Sequence, residues 1–162
     1  MELINDFSVS VKKALAEIDP DYEKYNSLVV CGTHSPTHWE DQIWKLHEAR
    51  LSGRPALGIC FGYQLMAIEY ARYALGHERA TSEEFGEEGE FVVYKLPKLD
   101  VGLHDGESWW HNYEVLPELA KMMEEKVFTD KYFGVQYHPE YQSSIDKPHP
   151  VLVKFLKACS AE

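Results

Sequence analysis

No run of roughly 18 or more apolar residues occurs in the 162-residue chain, so the sequence offers no membrane-spanning helix. The N-terminus lacks the basic start and apolar block of a secretory signal, because Met1 to Ile18 alternates acidic, basic and apolar groups. Cysteine is scarce and odd in number. Cys31, Cys60 and Cys159 form no secreted disulfide framework, and a reducing cytoplasmic setting is expected. Positive charge is also in short supply. Sixteen basic residues against 27 acidic ones give a net charge of -11, which argues against nonspecific binding to nucleic acid or to an anionic membrane. The chain has no internal repeat, low-complexity tract or linker, so one domain over residues 1–162 is expected.

What is present reads as alternating strands and helices. Val11, Ala14, Leu15 and Ile18 recur at helical spacing, with Ser8 as the expected cap and Asp19-Pro20 as the stop. Ser27 to Cys31 is a short apolar run, expected to be a buried strand. After a polar loop, Thr37 and Glu40 suit a capping box for a helix carrying Trp39, Ile43 and Leu46 on one face. Arg54 to Ile59 predicts a second strand, and a helix follows from Tyr63 to about Leu75, with Gly76 as its stop. Strands are also expected over 90–96, at Val127-Phe128 and over 132–137, and helices over 119–125 and 148–158. Two strand–loop–helix units in series predict an α/β fold with parallel strands.

The segment Gly58-Ile59-Cys60-Phe61-Gly62-Tyr63-Gln64 places a cysteine between a strand and a helix, with a glycine two residues to either side. This is the form of a nucleophile elbow. A tight turn requires small flanking residues, and the helix start favours a thiolate and a developing oxyanion. A lone free cysteine is more often a core residue, and Cys31 and Cys159 read that way. A nucleophilic thiol needs an imidazole to take its proton and an acceptor to orient that imidazole. Gly134-Val135-Gln136-Tyr137-His138-Pro139-Glu140 supplies both at the end of a strand.

At these two segments the chain resembles the class I glutamine amidotransferases, whose marks are G-x-C-x-G-x-Q and G-x-Q-x-H-P-E. It is more specifically similar to the amidotransferase domain of CTP synthases, through residues 68–72, 80–85, 111–115, 138–143 and 148–150. The resemblance implies a three-layer α/β fold of flavodoxin-like type, with a mostly parallel central sheet and the family's opening strand missing here. It implies Cys60, His138 and Glu140 as a catalytic triad, a glutamyl thioester, release of ammonia, and a place in pyrimidine biosynthesis. Backbone N–H groups of Phe61 and Thr33 would hold the oxyanion. Gln64, Glu84, Gly32, His111 and Asn112 would contact the substrate, glutamine or an analogue. No cofactor is implied, and the partner is a separate synthase subunit or a second copy of the chain.

The pattern also departs from the family. Thr33 replaces a glycine in the oxyanion loop, and a β-branched residue resists the backbone angles glycine tolerates. Trp109, Trp110 and Asn112 stand where CTP synthases carry arginines, one of which holds the glutamine carboxylate. No ATP-dependent synthetase region lies within these residues, so the chain by itself is not expected to aminate UTP. Two other readings therefore stand beside glutamine hydrolysis: hydrolysis of a different amide, and a binding or regulatory module that keeps the triad as a relic. A further alternative is a metal site at Cys31, His34 and His38, with His47.

Overall fold

In the computed structural model, which describes residues 1–161, two sheets carry the chain. Four short strands, β1 (Glu2–Ile4), β2 (Leu28–Val30), β3 (Ala56–Ile59) and β7 (Tyr132–Val135), pair in parallel in that order. The second sheet joins β4 (Ala80–Ser82), β5 (Glu90–His104) and β6 (Glu107–Val115); β4 runs parallel to β5, and β5 and β6 form an antiparallel hairpin.

Parallel neighbours need crossover connections, and helices cover both faces of the first sheet. Alternation along each strand sorts the side chains. Val29, Leu57 and Phe133 pack with Leu15 of α1 (Ser8–Ile18) and with Leu152 and Phe155 of α5 (Pro150–Ser160). Leu28, Val30, Ala56 and Tyr132 point the other way, against α2 (Trp39–Ser52), α3 (Phe61–Tyr73) and α4 (Pro117–Lys126). The expected three-layer α/β architecture is what the structure shows. No helix among the described residues is long and apolar enough to cross a membrane.

The opening strand is present, contrary to expectation. Glu2, Leu3 and Ile4 pair with Leu28, Val29 and Val30 at the sheet edge. Three half-buried residues beginning with a glutamate are too few to show a strand period. Ser8 is not a cap but the first residue of α1, whose preceding residue, Phe7, makes no side-chain capping bond. The capping box at Thr37 and Glu40 does not form either. The residue before α2 is His38, in a left-handed conformation, and Glu40 instead receives two bonds from Arg72, at 2.6 and 3.0 Å. Val127 and Phe128 close α4 by donating to the Met123 carbonyl, so they are not a strand. The strand starting at Glu90 runs on to His104. Its register slips between Lys95 and Asp100, which hides the alternation, and Asp105-Gly106, both at positive φ, turn the chain into β6.

One buried carboxylate ties the helices beside the sheet. Glu69 of α3 is fully buried and receives Arg50 of α2 through Nε at 2.7 Å and Nη2 at 2.8 Å, with His47 Nδ1 at 2.9 Å. The tightest approach, however, is backbone on backbone. A methyl group at Gly62 would lie 1.9 Å from the Val30 carbonyl oxygen, and one at Gly58 would lie 2.8 Å from the Gly62 backbone. Helix α3 therefore reaches the sheet only because its second residue has no side chain. Gly62→Ala should destabilise the fold by about 3 kcal/mol, since the backbone itself must move. Urea unfolding checks this; a variant within about 0.5 kcal/mol of the parent would contradict it.

Candidate active site

The carboxyl ends of the parallel strands converge, which is where open α/β sheets place their ligand sites. Leaving β3, the chain turns at Cys60 with φ 55 and ψ -103, a conformation that side chains other than glycine rarely adopt. Hydrogen bonds fix this turn from both sides: Cys60 N donates to Val135 O at 2.8 Å, and the Cys60 carbonyl accepts from Gln64 N at 3.2 Å. Phe61, the first residue of α3, has no partner for its N–H within the helix. The Cys60 sulfur lies 3.6 Å from the Trp110 carbonyl and accepts from Gln136 Nε2 at 3.5 Å.

His138 follows β7, with its backbone N–H held by Ser108 O at 2.8 Å. Its Nδ1 is 3.0 Å from Glu140 Oε2, and both side chains are fully buried. The short turn Pro139–Gln142 fixes this spacing. The His138 ring packs against Phe7 and Tyr141, at centroid distances of 5.2 and 5.4 Å. Its Nε2 and the second Glu140 oxygen have no hydrogen-bond partner. Burial pulls the imidazole's pKa down, but the neighbouring Cys60 sulfur and Glu140 carboxylate outweigh it and hold the pKa up at about 10. A buried nitrogen left open beside a thiol is what a proton shuttle requires.

A cavity of about 160 Å³ opens over Cys60 and brings together the other expected residues. Phe61, Thr33, Gln64, Glu84, His111 and Asn112 all line it. Gly32 does not, but it admits the histidine: a methyl group there would meet the Phe7 ring at 2.8 Å and His138 Cε1 at 3.0 Å. Thr33 is accommodated without strain, because it is not among the residues at positive φ. Its hydroxyl accepts from Ser35 N at 3.1 Å and orders the loop. Gln64 donates to Tyr113 O at 2.8 Å and to Gln136 Oε1 at 3.3 Å, so one chain of amides runs from β6 to the sulfur. Burial pushes the Glu84 carboxyl up to about 7, with no cation to offset it. His111 is nearly fully buried, and burial pulls its pKa down.

Sequence reasoning assigned no role to Gln136, Phe7, Leu99 or the Trp110 carbonyl, and weighed His34 only as a metal ligand. Gln136 had a signal, as the glutamine of the second motif; the others reach the cavity only through the fold. The metal alternative is not supported, as no cluster of metal-ligating side chains forms among the described residues. Cys31 is buried with its thiol pKa raised, His34 packs edge-on against Phe7, and His47 is held by Glu69.

Residues 5–158 match the family described as glutamine amidotransferase class-I. Among curated proteins, the CTP synthase of Methanoculleus marisnigri is 31% identical over 86% of this chain and 35% of its own length. That of Methanoregula boonei is 30% identical over 85% of this chain and 34% of its own length. The chain thus spans about a third of these relatives. Among solved structures, the glutaminase domain of Trypanosoma brucei CTPS with bound acivicin superposes with a TM-score of 0.76. It covers 100% of this chain and 95% of that one at 17% identity, a likeness of fold.

Glu84 gives a prediction whose sign is fixed by burial. Its pKa is raised from 4.5 to about 7, so the stability it contributes is full below pH 4.5 and is lost as pH rises through 7. Glu84→Gln should therefore raise Tm over the parent by roughly 3 °C more at pH 8 than at pH 5, measured by thermal denaturation. An equal difference at both pH values would contradict this.

Proposed function

The chain belongs to the class I glutamine amidotransferase family, and we propose that it hydrolyses the primary amide of a glutamine-type substrate through Cys60, releasing ammonia. The observation that supports this most directly is the buried His138, bonded to Glu140 on one nitrogen and open on the other, beside the strained Cys60.

In this mechanism the Cys60 thiolate attacks the amide carbon. The C–S bond forms, and the carbonyl electron pair moves to oxygen, where the N–H groups of Phe61 and Thr33 receive it. His138 carries the proton lost by the thiol and gives it to the amide nitrogen as the C–N bond breaks. Ammonia leaves and a thioester remains. His138, now neutral, takes a proton from water, the hydroxide adds to the thioester carbon, and the C–S bond breaks to regenerate the thiolate and release the acid. Glu140 fixes the ring so that Nε2 faces the sulfur throughout. The mechanism uses no cofactor.

The ammonia would be consumed by a synthase unit, which the matched residues, about a third of the length of the CTP synthases, do not include. The change to Thr33 in the oxyanion loop introduces no left-handed backbone strain, since Thr33 is not among the residues at positive φ.

Ammonia release from concentrated L-glutamine, compared with Cys60→Ala and His138→Ala proteins, tests the reading. Each substitution should lower the rate by about 1,000-fold or more, because a nucleophile and its base act as a unit. Rates equal to the parent's in both variants would overturn it.

A further inference from the structure

The cavity offers a partner for one of free glutamine's two α-charges and none for the other. Glu84 is the one carboxylate among its lining residues, and no lysine or arginine lines it. Two histidines, His34 and His111, also line it. Burial pulls the His111 pKa down, and its Nε2 faces two carboxylates, Asp100 at 3.9 Å and Glu114 at 3.8 Å. The rest of the lining sets an aromatic stretch beside the polar Thr33, Gln64, Asn112 and Tyr113. Phe7, His34 and Trp110 form a ring cluster, with His34 and Trp110 centroids 4.9 Å apart, and Leu99 stands beside them.

A carboxylate placed against this lining sheds water and meets no lysine or arginine, at a cost that buried charges recover only when paired. An ammonium group gains both a carboxylate and aromatic faces. An uncharged amide in place of the carboxylate loses little and packs against the rings.

We propose that the site selects side-chain amides that carry a free ammonium group but no free carboxylate beside it, such as glutamine capped at its α-carboxylate by an amide bond, as at the start of a peptide. The proposal rests on the amide-hydrolase reading and names its substrate class. Glu84 binds the ammonium, and the Phe7–His34–Trp110 wall receives the capped end.

The test compares Cys60-dependent ammonia release from three probes: L-glutamine, its α-N-methylamide, and the N-acetylated form of that methylamide. The Cys60→Ala protein supplies the background, including spontaneous cyclisation. The methylamide should show kcat/KM at least ten times that of L-glutamine and at least ten times that of the acetylated probe. Glu84→Gln should shrink the second ratio by ten-fold or more, mainly through KM. A smaller advantage of the methylamide over L-glutamine, or a second ratio unmoved in Glu84→Gln, overturns the selectivity while the hydrolase reading stands. Absence of Cys60-dependent ammonia from all three probes overturns both.

Discussion

The closeness with which α3 sits against the parallel sheet governs the molecule. At Gly62 the helix backbone rests directly on the Val30 carbonyl, and Gly58 gives way beneath it. That contact leaves the chain one residue in which to turn from strand to helix, and Cys60 takes it at φ 55. Such a conformation persists only where its surroundings over-determine it. Here the Val135 carbonyl and the first turn of α3 supply that restraint. The parallel pairing of β3 with β7 then brings His138 to the same edge. One steric constraint thus sets where the sulfur, the helix start and the imidazole meet.

The buried and half-buried ionisable groups divide by whether they are satisfied. Glu69 is enclosed by Arg50 and His47, makes its bonds within the protein, and is a structural tie between two helices. Glu84 is pushed towards neutrality by burial and has no lysine or arginine beside it in the cavity, which is why the proposed ammonium contact is placed there. His138 lies between these cases, with one nitrogen bonded and one open. Stability given up at Glu84 and Cys60 is consistent with sites that trade local strain for function.

Much of this was legible in the residues. The elbow and the His-Pro-Glu segment announce themselves because their constraints are local: small residues around a tight turn, and a rigid link between base and orienter. The core of the parallel sheet was legible for a similar reason, since doubly covered strands read as unbroken apolar runs. What escaped depended on distant partners. β1 is too short to show a period, and its strand character comes from pairing with β2. The β5–β6 hairpin hid behind a register slip, though Asp105-Gly106 carried a turn signal. Glu40 looked like a cap but found Arg72, 32 residues away, which no local pattern encodes. The cavity's aromatic wall is assembled from β6 and two loops, so its character emerges only in three dimensions.

The central claim is that the fold makes Cys60 a base-assisted nucleophile rather than a buried structural thiol. The rate of Cys60 alkylation by iodoacetamide at pH 7, in the parent protein and in His138→Ala, tests it most directly, with intact mass confirming the labelled site. The account predicts a single rapid adduct on Cys60, slowed at least ten-fold by removal of the imidazole. An equal rate in both proteins, or labelling no faster at Cys60 than at the buried Cys31 and Cys159, would contradict it.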